Sequence, residues 1–184
     1  MSITSAKSGA TGISLALDNN YMEPIASTLL SGSSSVITFA DIPQTYKHLQ
    51  VRWFARGSSL AGLYWNFNGD LGTNYARHRL SADGATASAA GLASQTNIYS
   101  VASWGIPNTA STFAGGVYDI LDYANTSKYK TMRGLAGQDS NGSGGVELVS
   151  GLWMDFNAIN SIAITLNTGT FQANTRFSLY GIKG

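Results

Sequence analysis

Apolar and polar residues alternate along much of the chain, at a spacing of two residues. The clearest case is 48–56, where Leu49, Val51, Trp53 and Ala55 share one face. A period of two places successive side chains on opposite faces of a β-strand. The same alternation predicts strands at 63–67, 146–156, 162–166 and 177–181, and weaker ones at 13–17, 25–30, 35–39, 75–80, 97–101, 114–122 and 130–137. No segment keeps a period of 3.6 residues over three turns, so we expect essentially no helix.

These predicted strands, separated by Gly-, Asn- and Ser-rich turns, predict an all-β protein. We expect an antiparallel β-sandwich of jelly-roll type, because two closed layers hide most strand edges. Trp53 and Trp65 are expected in its core. Residues 57–62 are interpreted as a hairpin loop, and Ser150-Gly151 as a β-bulge. The strand at 146–156 has an apolar face formed by Val146, Leu148, Leu152, Met154 and Phe156.

Three stretches lack this alternation. Residues 1–12 are rich in Ser, Thr, Gly and Ala, and they predict an N-terminal arm that is flexible or ordered by a partner. Residues 82–91 and 138–145 are interpreted as long surface loops, which could also reach a neighbouring subunit. Composition changes nowhere else, so 13–184 are expected to form a single β-sandwich domain.

The composition narrows the possible partners. Charged residues make up 11 % of the chain and the net charge is +1, against a usual charged fraction of about 25 %. No basic stripe is present, so we expect no nucleic acid as a partner. No apolar run approaches the ~18 residues of a membrane span, and no signal peptide is recognised. We therefore expect a soluble protein made in a cytoplasm, which binds partners through apolar and aromatic contacts.

Catalytic and metal-binding patterns are weak. The chain has no cysteine and two histidines, His48 and His78, at positions unsuited to zinc. His78, Asp70 and Ser81 could be assembled into a triad, but no nucleophile elbow accompanies them. Asp70 and Asp83 are interpreted as turn residues that accept backbone hydrogen bonds. We therefore expect no enzyme, no metal and no cofactor.

A few side chains are candidates for contacts with a partner or a glycan. Trp104 lies in a predicted loop and Tyr99 lies shortly before it; flat aromatic rings can stack on the apolar face of a sugar. The cluster Arg77-His78-Arg79 is the strongest local concentration of positive charge, and His78 is interpreted as a strand-face or interface residue.

Three stretches together resemble a known family. Residues 39–52 (FADIPQTYKHLQVR), 66–80 (NFNGDLGTNYARHRL) and 175–184 (TRFSLYGIKG) are similar to phrases in structural proteins of tailed bacteriophages. Members of that family are described as capsid decoration (cement), head-fibre or tail-fibre proteins. The resemblance implies a virion component, assembled in the cytoplasm of the host bacterium, and it supplies no catalytic residues.

Within this family, we expect a capsid decoration protein that binds the major capsid protein, or another virion protein, on the outer capsid surface. By analogy with threefold capsid sites and trimeric fibres, we expect a homotrimer. A tail-fibre or receptor-binding domain that contacts host surface glycan through Trp104 and Tyr99 is the alternative. A carbohydrate-binding module outside a phage is a third interpretation. The absence of a long repetitive shaft favours decoration.

Overall fold

The protein is all-β, as expected. The computed structural model describes residues 21–102 and 104–184, so the predicted arm 1–12 and the predicted strand 13–17 lie outside the described residues. No helix occurs in the described ranges, and so none there is long and apolar enough to cross a membrane. The described residues form twelve strands: β1 (Met22–Leu29), β2 (Val36–Phe39), β3 (His48–Ala55), β4 (Leu63–Phe67), β5 (Tyr75–Ala82), β6 (Ala87–Gln95), β7 (Ile98–Ser100), β8 (Ala114–Leu121), β9 (Lys130–Asp139), β10 (Gly144–Trp153), β11 (Ile162–Leu166) and β12 (Arg176–Ile182).

The strands form two antiparallel sheets with jelly-roll topology. The large sheet has the order β1-β12-β3-β8-β9-β10-β5-β6, and the small sheet has the order β2-β11-β4-β7. The pairs β1·β12, β2·β11, β3·β8 and β4·β7 are nested along the chain, which is the arrangement of a rolled-up jelly roll. We call these eight strands the body. The other four, β9, β10, β5 and β6, lengthen the large sheet beyond β8, and we call them the extension.

The core lies between the two sheets and is rich in aromatic side chains. Trp53 and Trp65 are 5 % and 0 % exposed, which confirms their predicted place. Trp65 packs against Tyr118 and donates its indole N–H to Ser100 Oγ at 2.9 Å. Burial raises the pKa of Tyr75 to about 12, although its hydroxyl makes hydrogen bonds to the backbone of the β4–β5 turn. The inward-facing residues of the two sheets thus form one closely packed interior.

Two predicted turn features are wrong. Residues 57–62 do not close a hairpin, because β3 and β4 belong to different sheets and the segment crosses between them. The backbone of 57–62 instead forms hydrogen bonds with the segment between β11 and β12. For example, Ser58 N–H donates to Thr170 C=O at 2.8 Å. Ser150-Gly151 is not a bulge, since β10 keeps its register with β5 and β9 through both residues. Gly151 is required for packing: a Cβ there would lie 2.6 Å from the Ile98 side chain.

The two predicted long loops are largely strands. Most of 82–91 lies in β5 and β6, and β9 and β10 reach into 138–145 until a turn of four residues, 140–143, remains. The small side chains of these segments bury little apolar area, so the sequence shows no alternation of apolar and polar residues there that would predict a strand. The backbone pairing of β6 with β5 supplies the hydrogen bonds that hold this segment extended.

Candidate functional site

An apolar patch on the outer face of the large sheet begins on β8 and covers part of the extension. Strand alternation points Leu80, Val117, Leu135, Val146 and Leu148 away from the small sheet, and we call these five residues the outer-face patch. Val117 pairs with Leu135, Leu135 with Leu148, and Leu148 with Leu80, so four of them form one row across four neighbouring strands. With strands about 4.8 Å apart, this row spans ~14 Å.

The side chains of the patch are well exposed. Leu80, Leu135, Val146 and Leu148 are 53 %, 49 %, 54 % and 54 % exposed. Isolated exposed apolar residues are common on protein surfaces, but contiguous groups mark interaction sites. The apolar face predicted for the strand at 146–156 is therefore the outer face in β10, and the buried face carries Glu147, Val149, Gly151 and Trp153 instead.

A shallow trough borders the patch. Its floor is formed by Gly115 and Gly137, which pair with each other and leave a volume of about 340 Å³ open beside Val146. Phe54 pairs with Gly115 on the opposite side, is 50 % exposed, and stacks on Phe113 at a ring distance of 4.5 Å. The glycines thus make a groove between an aromatic and an aliphatic wall.

Charge surrounds the patch without entering it. Arg52 adjoins Val117 in the same row, and Asp119 and Arg133 pair one row away, about 7 Å along the strands. Gln50 donates to Asp119 at 2.9 Å, so this carboxylate already has a partner on the sheet. The patch therefore offers apolar area to a partner with little electrostatic selectivity.

The opposite face of the extension forms a polar cleft. Alternation in β5 points Arg77, Arg79 and Ser81 inward, under the segment that follows β7. Arg79 donates to Ser81 Oγ at 2.8 Å, and Ser81 shares a hydrogen bond of 2.9 Å with Ser88 on β6. The cleft has a volume of about 380 Å³, and its lining residues are Arg79, Ser81, Ala82, Asp83, Thr86, Ser88, Ala102 and Trp104.

A buried carboxylate fixes the segment above this cleft. Glu147 is fully buried and accepts hydrogen bonds from the backbone N–H groups of Val101 at 2.7 Å and Ala102 at 3.1 Å. Val101 has a φ of 57°, which is strained for a β-branched residue. Burial lowers the pKa of the nearby Arg77, and the charge of Glu147 opposes that effect. Glu147 therefore both balances Arg77 and holds the backbone in an unfavourable conformation.

The structure brings four of the five candidate contact residues to one side of the sheet. Arg77 lies over the ring of Tyr99 at 4.9 Å, and Arg79 and Trp104 line the cleft. Trp104 is half-buried rather than fully exposed, because its ring lies on Gly145, where a Cβ would be 2.5 Å from Cδ1. His78 is separated from the other four: it points to the outer face, with its ring over Gly91.

The remaining polar candidates have local partners. Asp70 accepts from Gly72 N–H at 2.8 Å, and Asp83 accepts from the N–H groups of Ala85 and Thr86, as predicted for turn residues. His78 and Ser81 lie on opposite faces of β5, so the structure does not assemble the triad considered from the sequence. Within 21–102 and 104–184, no group of three or more His, Cys, Asp or Glu side chains could hold a metal ion.

The sequence did not reveal that Glu147 lies on the buried face of β10 or that Leu135 and Leu148 lie on the outer face of the sheet. A carboxylate between Val146 and Leu148 indicates that one of the two faces of β10 is not an ordinary core face, and that signal was available. No protein-family model, curated protein or solved structure matches the chain.

Proposed function

We propose that this chain is a structural protein of a tailed-phage virion, which binds the outer capsid surface as a decoration protein through the outer-face patch. The observation that carries this proposal is the row of half-exposed aliphatic side chains on the extension. The sequence stretches that resemble phage structural proteins support a location on the virion. The patch is the surface through which we expect the protein to bind.

The partner is a protein surface that is apolar and carries little charge, as an intersubunit region of the major capsid protein would be. An aliphatic or aromatic side chain of that partner would enter the trough between Phe54 and Val146. Burying the exposed half of a leucine contributes about 1 kcal/mol, before the costs of association are subtracted. Such contacts are weak singly, but a capsid lattice repeats them many times.

Attachment of this kind resists salt. Exposed ion pairs contribute roughly 0–1 kcal/mol each and salt weakens them, whereas apolar burial persists. We expect the protein to stay on particles washed with molar sodium chloride and to dissociate in chaotrope or detergent. Release by salt alone at neutral pH would contradict the proposed mode of binding.

The test is performed on particles of a phage that encodes this chain. Immunolabelled protein located by electron microscopy should surround the head, and the double variant Leu135→Asp, Leu148→Asp should leave particles undecorated. Leu71→Asp is the matched control, since Leu71 is 72 % exposed and lies outside the sheets. Absence of the label from purified particles, or decoration by the double variant at the wild-type level, would overturn the proposal.

Receptor binding is the second candidate function, and the polar cleft favours it. Arg79, Ser81 and Ser88 offer hydrogen-bond groups beside the half-buried ring of Trp104, which is a combination that suits a sugar. Under this function the label should be on the tail, and the chain should bind host surface glycan. Trp104→Ala should then weaken glycan binding at least tenfold, while Trp104→Phe should retain most of it.

A further inference from the structure

Each sheet ends in two edge strands, and an edge strand leaves backbone N–H and C=O groups open to pairing with another chain. The large sheet ends in β1 and β6, and the small sheet ends in β2 and β7. Proteins usually protect such edges with charge, proline, bulges or short length.

Three edges are protected. β2 has four residues and β7 has three, so neither offers a ladder of useful length. β1 is longer, but it carries Glu23 and Pro24, and its register with β12 shifts between Pro24 and Ala26. Each of these three edges therefore resists the addition of a strand.

β6 is not protected by charge, proline or short length. It has nine residues, ASAAGLASQ, none of them charged and none proline. Its register with β5 is regular from Ala87 to Leu92, and the irregularity lies beyond that, between Tyr75 and Arg77 on β5. The side chains of this regular part are small or exposed, and within the described residues no strand pairs with β6 on its other side.

We infer that β6 is a dimerisation edge, at which β6 of a second copy adds antiparallel to continue the large sheet. A two-fold axis normal to the sheet generates an antiparallel pair from identical strands, and such an interface is self-complementary. With the axis at Ala89, every facing pair from 87 to 91 is made of Ala, Ser or Gly, so no like charges meet. The protected edges β1, β2 and β7 leave the second β6 as the matching partner.

The outer-face patch gives a second reason to choose another copy of the chain. Its row ends at Leu80 on β5, whose partner on β6 is Ala89. A two-fold axis normal to the sheet keeps both patches on the same side, so the row would continue through the two β6 strands into the second patch. Pairing thus doubles the apolar surface that the proposed function assigns to the capsid. This symmetry differs from the homotrimer expected by analogy.

The experiment measures the mass of the full chain by sedimentation velocity across roughly 1–100 μM, the range of a weak protein dimer. The expected result is a reversible shift from the 19.4 kDa chain toward twice that mass. Ala89→Lys should abolish the shift, because charge on an edge strand opposes pairing, and it should leave the melting temperature unchanged. Ala26→Lys on β1 is the matched control and should dimerise as wild type.

A cross-link tests the pairing directly. The chain has no cysteine, so Ser88→Cys, Ala89→Cys and Ala90→Cys can be oxidised one at a time. Facing Cβ atoms in an antiparallel pair lie about 5 Å apart, and at least one variant should form a covalent dimer, whereas Ala26→Cys should not. A chain that is monomeric at all concentrations, a trimer, or a dimer that Ala89→Lys leaves intact would overturn the inference.

The dimer and the proposed attachment can fail separately. Leu135→Asp with Leu148→Asp should remove decoration and leave the dimer, because neither residue lies on the edge. Ala89→Lys should remove the dimer and leave individual chains able to bind a particle with reduced occupancy. Loss of the dimer in the patch double variant would place the self-contact on the outer face and contradict the edge pairing.

Discussion

The two halves of the large sheet present different outer faces in the same register row. In the body half, the row contains Ser27, Ser178, Arg52 and Val117, from β1, β12, β3 and β8. In the extension it contains Leu135, Leu148 and Leu80. This row of one continuous sheet is therefore polar on β1, β12 and β3, and it becomes apolar from Val117 on β8 onward, across the strands that lengthen the sheet. The extension has the composition of a surface that meets protein.

The inner faces differ as well. In the body, the small sheet covers the large one and the space between them is filled with aromatic side chains. In the extension, β7 and the segment after it provide the cover, and Arg77 and Glu147 are buried there. Both halves share one core, to which the extension contributes Tyr75 and Trp153, but the buried charged residues lie in the extension.

The largest expected effect is in the core of the body. Trp65→Ala removes a fully buried ring that packs on Tyr118 and bonds to Ser100. Large-to-small changes of this kind lower the free energy of unfolding by about 3–5 kcal/mol. Denaturant titration followed by circular dichroism measures it. A loss below ~1 kcal/mol would mean that stability is not concentrated between the two sheets.

The next largest expected loss of stability is at the segment after β7, which covers the inner face of the extension. Glu147→Gln replaces a carboxylate that accepts from two backbone N–H groups, and it removes the negative charge that favours the protonated form of Arg77. We expect a loss of about 2–3 kcal/mol and faster hydrogen exchange at the amides of Val101 and Ala102. Asp119→Asn, on the outer face, is the control and should change stability by less than ~0.5 kcal/mol. Unchanged hydrogen exchange at both amides would mean that Glu147 does not hold the backbone at Val101 and Ala102 in place.

The body could be predicted well from the sequence, because its strands alternate large apolar and polar residues. Trp53, Leu63 and Trp65 identify the buried face of β3 and β4 directly. The jelly-roll order was expected from strand number and edge closure, and the nested pairs confirm it. Turn chemistry at Asp70 and Asp83 was also readable, since it depends on residues two or three positions away.

The extension could not be predicted in the same way. β6 consists of small residues whose burial has no period, so only its pairing with β5 reveals the strand. The apolar face of β10 was visible, but it faces outward, because the inner face needs Gly151 beneath Ile98 and Glu147 beneath Val101. Both requirements come from residues about 50 positions away in the chain, and local alternation contains no information about them.

A smaller effect depends on pH and on charges at the end of β8. The Lys128 ammonium, followed by that of Lys47 at 3.0 Å, lowers the pKa of Asp122 to about 2. A carboxyl whose folded pKa is lowered stabilises the fold above its unfolded value near 3.9 and loses that contribution as the pH falls toward 2. Since both lysines are more than half exposed, we expect a loss of about 1 kcal/mol between pH 5 and pH 2.

The control for this pH effect is Asp122→Asn, which cannot titrate. Wild type should be more stable than this variant at pH 6 in low salt, and the two should converge near pH 2. Denaturant midpoints at both pH values provide the measurement. A difference that stays constant across this pH range would show that Asp122 acts through its hydrogen bonds alone, and that charge contributes nothing to the end of the body strand.

The smallest effect on stability should come from the patch itself, and two neighbouring residues of β10 test it. Val149 is 3 % exposed and Leu148 is 54 % exposed, on opposite faces of the same strand. Val149→Thr buries a hydroxyl at nearly constant shape and should cost about 1–3 kcal/mol. Leu148→Thr keeps strand propensity and loses only partial burial, so it should cost less than ~1 kcal/mol while reducing decoration of particles. Equal losses of stability in the two variants would mean that the outer face is a second core face, and the contrast between the two halves of the sheet would then disappear.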